Sequence, residues 1–283
     1  MTVARSIEAY FRVRPGTFPD AIRLFAAYCM AMVLRVAAPA RFKSVGLLLA
    51  GANNVHVRID GVEFEVRPRT NDLDIVSPKH EPLTTSWFRA RADDIVVDVG
   101  AHIGRYSLLA AANGATVVAI EPDPANFRLL ERNVKLNQKA NVVLIREAIT
   151  ARAHDLILTT APPSNTGLSA VKEHTGSESG NLLEANQVLV RGRTLDQVVR
   201  EHRLERIDWL KIDVEGHEIA VLESGAAALE MTRHLILEVT DHTAGKCRRI
   251  VESHGFALVS VEDGSPARNW LLTKEEFPVG DGT

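Results

Sequence analysis

The sequence is poor in several features that mark particular classes of protein. Its 283 residues include only two cysteines, Cys29 and Cys247, which lie far apart and in no metal-binding spacing. A disulfide framework is therefore not expected, and a reduced, cytoplasmic setting is the default. Aromatic residues make up only 5% of the chain, and the formal net charge is -3. Neither value suggests the basic surface of a nucleic-acid-binding protein, so no nucleic-acid partner is expected.

Long apolar runs are missing as well. The most apolar early stretch, LFAAYCMAMVL at residues 24–34, has 11 residues between Arg23 and Arg35. A bilayer span needs roughly 20 such residues, and the N-terminus is too polar for a secretory signal. Residues 24–34 are expected to form a buried helix of an N-terminal cap or of an oligomer contact. The alternative is an interfacial helix that contacts a membrane surface and holds the protein near a lipid-linked substrate.

The hydrophobic pattern divides the chain into two parts. Residues 1–92 are expected to form an accessory segment, a helix followed by short strands around a hairpin turn at Asp60–Gly61. Residues 93–283 alternate between strand-like and helix-like segments, which predicts a parallel sheet with helices on its faces. The exception is the stretch from Thr160 to Asn181, whose proline, serine and glycine content predicts a long loop. The fold class is therefore α/β.

A glycine turn follows the first strand of this α/β part. Residues 95–99 predict a strand buried on both faces, and a helical pattern begins after Gly104. A strand, a glycine turn and a helix N-terminus place backbone N–H groups against a ligand. The turn has Gly100 and Gly104 with His102 between them, so it lacks the G-x-G-x-x-G pattern of dinucleotide-binding proteins. Asp98 on the strand would repel a pyrophosphate but tolerate a cationic ligand.

Further polar residues follow the next two strands. Glu121 ends the second strand, 17 residues after the last glycine of the turn, near the spacing expected of a ribose-binding acid. Asp123 and Pro124 then predict a helix N-cap and its first residue. Glu147 and Ala148 end the third strand at the same carboxyl edge of the sheet, where open α/β sheets bind ligands.

The fourth strand, at residues 209–212, ends in three ionisable residues, Asp213, Glu215 and His217. A helix start with favourable acidic residues is the structural interpretation. The functional interpretation is a site that moves a proton or holds a cation. Together with Asp241 these residues could bind Mg²⁺. Asp213, Glu215 and His217, however, occupy every second position, as in a loop, and are not i, i+4 neighbours on a helix. No metal is therefore expected.

Several of these motifs occur together and in order. They are DIVVDVGAHIGRYSLLAA (94–111), AIEPDPANFRLLERNVKLN (119–137), TLDQVV (194–199), WLKIDVEGHE (209–218) and LILEV (235–239). In this combination the chain resembles the FkbM family of S-adenosylmethionine-dependent methyltransferases, from residue 93 to about residue 273. The resemblance implies a seven-stranded, Rossmann-like sheet of the class I methyltransferases. Its last two strands would be GFALVSVED and RNWLLTKEE, forming an antiparallel edge.

The resemblance also implies a set of contacts to S-adenosyl-L-methionine. These residues are Asp98, Gly100, Ala101, His102, Gly104, Glu121, Pro122, Asp123, Glu147, Ala148 and Asp213. The glycine turn would pass under the methionine part, Glu121 would hold the ribose hydroxyls, and Asp213 would lie near the sulfonium. Family members often carry asparagine at the position of His102.

The expected reaction is methylation of a hydroxyl on a small molecule, such as a sugar, a polyketide or a lipid-linked acceptor. His217 is the hypothesis for the general base because an unperturbed histidine titrates near neutral pH. Glu215 would orient His217 or replace it, Asp213 completes the catalytic set, and His242 is a second candidate base.

Two other function classes remain open. A dinucleotide-dependent oxidoreductase would use the same glycine turn, and a non-catalytic cofactor-binding scaffold would need Asp213, Glu215 and His217 only for structure. A nucleic-acid methyltransferase is disfavoured because DVEG, at residues 213–216, stands where a base-flipping tetrad would be.

Overall fold

The computed structural model describes residues 12–42, 44–167, 169–173, 186–264 and 267–274. The N-terminal segment consists of three strands and three helices with two short 3-10 turns. They are β1 (Arg14–Pro15), α1 (Phe18–Ala37), the turns Pro39–Arg41 and Gly46–Leu48, β2 (Val55–Ile59), β3 (Val62–Val66), α2 (Asp72–Val76) and α3 (Pro82–Trp87). The predicted helix and hairpin are both present. The two short helices α2 and α3, where strands and turns were expected, are the difference.

The remainder of the chain alternates strands and helices. In order they are β4 (Ile95–Val99), α4 (Arg105–Ala112), β5 (Thr116–Ile120), α5 (Pro124–Leu136), β6 (Val142–Ile145), β7 (Ala148–Ile149), β8 (Asp155–Thr159), the 3-10 turn Pro163–Asn165, β9 (Ala170–Glu173), β10 (Gln187–Arg193), α6 (Leu195–Glu201), β11 (Ile207–Ile212), α7 (Glu218–Glu223), α8 (Ala226–Met231), β12 (Thr232–Thr240), α9 (Asp241–Ser253), β13 (Ala257–Glu262) and β14 (Ala267–Thr273).

A seven-stranded sheet forms the centre of the molecule, in the order β13-β14-β12-β11-β4-β5-β6. Strands β6, β5, β4, β11 and β12 are parallel, and β14 runs antiparallel to both of its neighbours. This arrangement confirms the predicted Rossmann-like α/β class and the antiparallel edge. Strand order reverses between β4 and β11, which is where an open α/β sheet offers a crevice for ligands.

Helix ends and strand patterns explain why these elements form. Four of the five residues of β4 are buried, as expected for a central parallel strand. Asp123 caps α5 by accepting hydrogen bonds from two backbone N–H groups, and Pro124 follows as its first residue. Thr194 and Thr240 begin α6 and α9 with capping boxes.

A second sheet, in the order β7-β10-β8-β9, was not predicted. Strands β8 and β10 pair antiparallel, and β10 pairs in parallel with the short β7 that directly follows the central sheet. The sequence pattern missed it because its strands are connected through the stretch taken for one long loop. Within that stretch the structure has the Pro163–Asn165 turn and β9, while residues 174–181 lie outside the described residues.

The N-terminal segment packs on the main sheet without a break in the core. One buried apolar cluster includes Leu24 of α1, Phe64 of β3 and Leu130 of α5. The side chains of Asn133 and Asn137 accept hydrogen bonds from backbone N–H groups of β3 at 2.7 and 2.8 Å. The division at residue 92 stays a prediction.

Helix α1 contains the predicted helix at residues 24–34, but only one of its faces is buried. Leu24, Ala27 and Ala31 face the core, whereas Phe25 and Val33 are exposed. The expectation of a buried helix is therefore correct for one face of the helix only. Among the described helices, none combines the length and the apolar character needed to cross a bilayer.

Candidate active site

A cavity of about 620 Å³ lies at the carboxyl edge of the central sheet. It extends from Ala148 and Val171 of the second sheet, past the ends of β4 and β5, to Glu238 of β12. Its volume is within the range of roughly 300–1,000 Å³ found for small-molecule sites. The cavity lies over the point where the strand order reverses, which was expected from the topology.

The glycine turn supports one wall of this cavity. Gly100 has a φ of 88°, and a Cβ atom there would lie 1.8 Å from the carbonyl oxygen of Asp213. The turn is therefore tight because it packs against the end of β11, and Gly100 also lines the cavity. Gly104 has a φ of 99°, and its missing side chain leaves room for Leu130, which a Cβ atom would approach to 2.7 Å. Its role is thus to bring α4 and α5 together.

Glu121 occupies the position predicted for a ribose-binding acid. Its carboxylate accepts hydrogen bonds from the backbone N–H groups of His102 at 2.8 Å and Asp123 at 2.9 Å. The residue is 5% exposed and lines the cavity. Burial raises the pKa of Glu121 to about 8 against the opposing effect of these hydrogen bonds. The carboxyl group is therefore held rigidly at the cavity wall.

Glu147 and Ala148 line the cavity where the end of β6 leads into the second sheet. The Glu147 carboxylate is held by an ion pair with the Arg193 guanidinium at 2.6 Å and by Arg191 at 3.4 Å. Ala148 is buried and begins β7. Three apolar residues of the second sheet, Ile149, Leu158 and Val171, line the same cavity and offer a surface that suits a flat heterocycle.

His102 is held in a defined orientation by Thr166. Its Nε2 atom lies 3.0 Å from Thr166 Oγ1, which also lies within hydrogen-bonding distance of Asn71 Oδ1 and the Asp72 carboxylate. Those two oxygens only accept hydrogen bonds, so the hydroxyl proton goes to one of them and Nε2 donates to Thr166. Burial lowers the pKa of His102 to about 4. The ring is therefore neutral, and its Nδ1 atom is a buried acceptor that lacks a hydrogen-bond partner among the described residues.

The loop after β11 brings the three predicted catalytic residues, Asp213, Glu215 and His217, to the cavity wall. Glu215 and Gly216 have φ values of 50° and 97°, so the chain makes a left-handed turn before α7. The Nε2 atom of His217 lies 3.3 Å from Thr150 Oγ1. Burial and the neighbouring Asp213 raise the pKa of Glu215 to about 8.

Asp213 belongs to a cluster of acidic residues that the sequence did not predict. Carboxylate oxygens of Glu81, Asp213 and Glu238 lie within 4.8 Å of one another. The buried ammonium of Lys211 contacts Asp213 at 2.6 Å and is 3% exposed. The charge of Asp213, followed by burial, raises the pKa of Glu238 to about 10. Burial opposes the ionisation of Glu81, but His80 and Lys211 bring its pKa down to about 2.

Signals for two of the missed residues were present in the sequence. Glu238 follows three apolar residues of β12 and so lies near the carboxyl edge of the sheet. Lys211 interrupts an apolar strand, where lysine is rarely buried without a partner. No such signal marks Glu81, because the N-terminal segment brings it to the site. Arg105 holds that segment by donating hydrogen bonds to the carbonyl oxygens of Ile75, Ser77 and His80.

Four of the residues expected to contact the cofactor lie outside the cavity wall: Asp98, Ala101, Gly104 and Asp123. Asp98 is 1% exposed and accepts a hydrogen bond from Ser107 at 2.6 Å, and burial raises its pKa. Asp123 is occupied by the N-cap of α5 and by the Ser169 hydroxyl at 2.8 Å. These positions support the wall and do not form it. The other predicted contacts, Gly100, His102, Glu121, Pro122, Glu147, Ala148 and Asp213, all line the cavity.

Two alternatives from the sequence do not fit the geometry. His242, the second candidate base, lies exposed in the first turn of α9 and outside the cavity wall, because β12 ends two residues earlier. Asp241 of the alternative metal set is also exposed and pairs with Arg268. The oxygen cluster that the described residues form is the one centred on Asp213, Glu81 and Glu238.

Comparison with known proteins gives a family for this arrangement. Residues 98–258 match the sequence model of the methyltransferase FkbM domain. The chain is 27% identical over 150 residues to the hexuronic acid methyltransferase AglP of Haloferax volcanii, an alignment that covers 53% of this chain and 57% of that protein. It is also 29% identical over 202 residues to the 31-O-demethyl-FK506 methyltransferase FkbM of Streptomyces tacrolimicus, covering 61% of this chain and 76% of that protein.

Two solved structures are similar to this chain in fold only. One is the precorrin-6y C5,15-methyltransferase of Geobacter metallireducens, at 15% identity and a TM-score of 0.44, covering 68% of this chain and 85% of that one. The other is TYW2 of M. jannaschii in complex with AdoMet, at 14% identity and a TM-score of 0.41, covering 79% and 85%.

Proposed function

Because the chain belongs to the FkbM family of methyltransferases, whose domain uses S-adenosyl-L-methionine, we propose that it methylates a hydroxyl group of a small molecule. The observation that carries this proposal is the acidic wall of the cavity. Glu81, Asp213, Glu215 and Glu238 all line it, at the carboxyl end of the strands. Glu81, whose pKa is lowered to about 2, is ionised at neutral pH, and the other carboxyl groups add oxygen acceptors, so the wall suits a sulfonium cation and disfavours the pyrophosphate of a dinucleotide.

The cavity residues fit the cofactor along its length. In the proposed orientation Glu121 accepts hydrogen bonds from the ribose hydroxyls, and the apolar surface near Ala148 holds the adenine. The lone acceptor on His102, its Nδ1 atom, would accept a hydrogen bond from the ammonium of the methionine part. A carboxylate would have no donor there, so histidine in place of the family's asparagine favours the ammonium.

The acceptor hydroxyl would lie between Glu238 and the loop that carries Glu215 and His217, all of which line the cavity. When bound, the cofactor supplies an electrophilic methyl group. The residues of this chain then have two tasks, to hold the acceptor oxygen in line with that methyl group and to remove the hydroxyl proton. His217 is the proposed base, and its contact with Thr150 fixes the ring at the cavity wall. Glu215, which neighbours it in the same turn, would orient the imidazole or take the proton in its place.

The names of the relatives indicate the chemical class of the acceptor. One relative is named a hexuronic acid methyltransferase and another a 31-O-demethyl-FK506 methyltransferase. We propose a sugar, a polyketide or a lipid-linked acceptor for this chain. The two free cysteines, Cys29 and Cys247, are in keeping with a cytoplasmic location.

Transfer of a radioactive methyl group tests the proposal. The protein is incubated with labelled S-adenosyl-L-methionine and two acceptors, a methyl hexuronide and 31-O-demethyl-FK506, and the label in each product is counted. A base that touches the acceptor contributes about 10²–10⁴-fold, so His217→Ala is expected to lower the rate by about this factor with the affinity for the cofactor unchanged. His242→Ala, outside the cavity, is the matched control. Equal rates in both variants would exclude His217 as the base.

A further inference from the structure

Helix α1 carries a second apolar face that nothing in the described part of the chain covers. Six large side chains form this face, and each is 56–87% exposed: Phe18, Ile22, Phe25, Met32, Val33 and Val36. At about 100° per residue they fall within one stripe about 100° wide. The stripe lies opposite the face of α1 that is buried against the core.

A helix that is apolar on two opposite faces is normally buried on both. Helix α1 is 20 residues long, or about 30 Å, and no charged residue lies between Arg23 and Arg35. Single exposed apolar residues are ordinary on a protein surface, but a contiguous stripe of this length indicates an interaction site. The charges around the stripe identify what covers it.

The segment that carries the stripe is basic, in contrast to the rest of the chain. Residues 12–45 contain six arginines and lysines and one acid, Asp20, for a net charge of +5. The chain as a whole carries -3, so the remaining residues carry -8. Asp20 is buried and pairs with Arg23. Arg12 pairs with Asp60 of the neighbouring hairpin, so the segment and Asp60 together still carry a net charge of +4, one less than the segment alone. The surroundings of the exposed stripe therefore attract an anionic partner.

A second copy of the chain fits this charge poorly. A two-fold symmetric contact through α1 would bring the same basic segment of both copies together. A bilayer that contains anionic lipids satisfies both features, because its headgroups attract the arginines and lysines while its acyl region accepts the apolar side chains.

We propose that α1 lies in the interfacial plane of an anionic phospholipid bilayer, with the stripe from Phe18 to Val36 inserted between the headgroups. The helix binds the surface and does not cross the membrane. It is linked to the cavity through the Gly46–Leu48 turn, where the Gly46 N–H donates to the Asp74 carboxylate at 3.2 Å, next to Ile75 of the cavity wall. The surface contact stands independently of the proposed function, whereas its consequence, an acceptor reached at the membrane, rests on that function.

Co-sedimentation of the full chain with vesicles tests this inference. Vesicles of phosphatidylcholine with about 30% phosphatidylglycerol are compared with phosphatidylcholine alone, at low and at high salt. The wild-type protein is expected to bind the anionic vesicles at least tenfold more tightly than the neutral ones, and high salt is expected to weaken this binding. Phe25→Gln/Val36→Gln is expected to lose at least tenfold in binding. Leu189→Gln, at an exposed leucine on β10 outside the stripe, is the control and is expected to bind like wild type.

Three results would overturn the inference. They are a wild-type protein that stays in the supernatant, a double variant that binds like wild type, and a lipid-free dimer that the double variant converts to a monomer. The last would assign the stripe to a second copy. Binding of S-adenosyl-L-methionine, measured in the same preparations without vesicles, checks that each variant is folded. It also separates failure of the membrane contact from failure of the proposed function.

Discussion

Lys211→Met is expected to destabilise the protein in a manner that depends on pH. The Lys211 ammonium is buried and lies 2.6 Å from Asp213, and it also faces Asp98 and Glu81. Methionine keeps the volume of the side chain but leaves these carboxylates without their counter-charge. Removing one partner of a buried ion pair costs about 3–5 kcal/mol, which corresponds to a drop in melting temperature on the order of 10 °C for a chain of this size.

The sign of the pH dependence follows from the two shifted carboxyl groups. Glu81 has its pKa lowered to about 2 with Lys211 as one cause, so in the wild type it stabilises the fold above its unfolded pKa of about 4.3. Asp98 has a raised pKa that Lys211 opposes, and without Lys211 its ionisation destabilises the fold further as the pH rises. The deficit of the variant is therefore largest above about pH 5 and shrinks as the pH falls from about 4.3 toward 2.

Urea denaturation of both proteins between about pH 3 and pH 8 measures this deficit. Lys211→Met/Asp213→Asn removes the closest carboxylate as well and is expected to recover part of the lost free energy of unfolding, since replacing both partners of a buried pair is often neutral. A deficit that stays constant with pH, or a double variant less stable than Lys211→Met, would refute this account of the site's electrostatics.

Two further substitutions probe how the cavity wall is held. Gly100→Ala places a Cβ atom 1.8 Å from the Asp213 carbonyl oxygen and is expected to cost more than about 3 kcal/mol and to abolish cofactor binding. Gly61 also has a positive φ, but a Cβ atom there meets open space, so Gly61→Ala is expected to cost only about 1–2 kcal/mol and to leave cofactor binding intact. Thermal denaturation and calorimetry of the two glycine variants check both expectations. Arg105→Met leaves three backbone carbonyl oxygens of residues 75–80 without their donor. It is expected to lower the free energy of unfolding by about 3 kcal/mol or more and to weaken cofactor binding at least fivefold. Unchanged affinity for the cofactor would show that this segment does not shape the cavity.

The central sheet was predictable from the sequence because its strands are short, apolar and regularly followed by helix signals. The strand before Gly100 has the expected bounds. The N-cap of the following helix is Asp123, as expected. The second sheet was not predictable, since β10 pairs with β7 and β8 from a different part of the chain. Sequence patterns report local periodicity and do not reveal such pairings.

The site was predictable to the extent that it is built from strand ends. Glu121, Asp213 and His217 line the cavity because each follows a strand of the parallel sheet. Gly104 was assigned to the cofactor, but its missing side chain serves the packing of Leu130. Glu81 was missed because it reaches the site through the N-terminal segment, whose packing on the main sheet no local motif indicates.

Calorimetric titration with S-adenosyl-L-methionine and, separately, with NADH tests the central claim most directly. The wild-type protein is expected to bind the first with micromolar affinity and to give no heat with the second. Glu121→Ala is expected to weaken binding at least tenfold, about 1.4 kcal/mol, while Glu131→Ala, an exposed glutamate on α5, is expected to bind like wild type. A folded wild-type protein that gives no heat with S-adenosyl-L-methionine, or that binds NADH equally well, would contradict the assignment of this cavity.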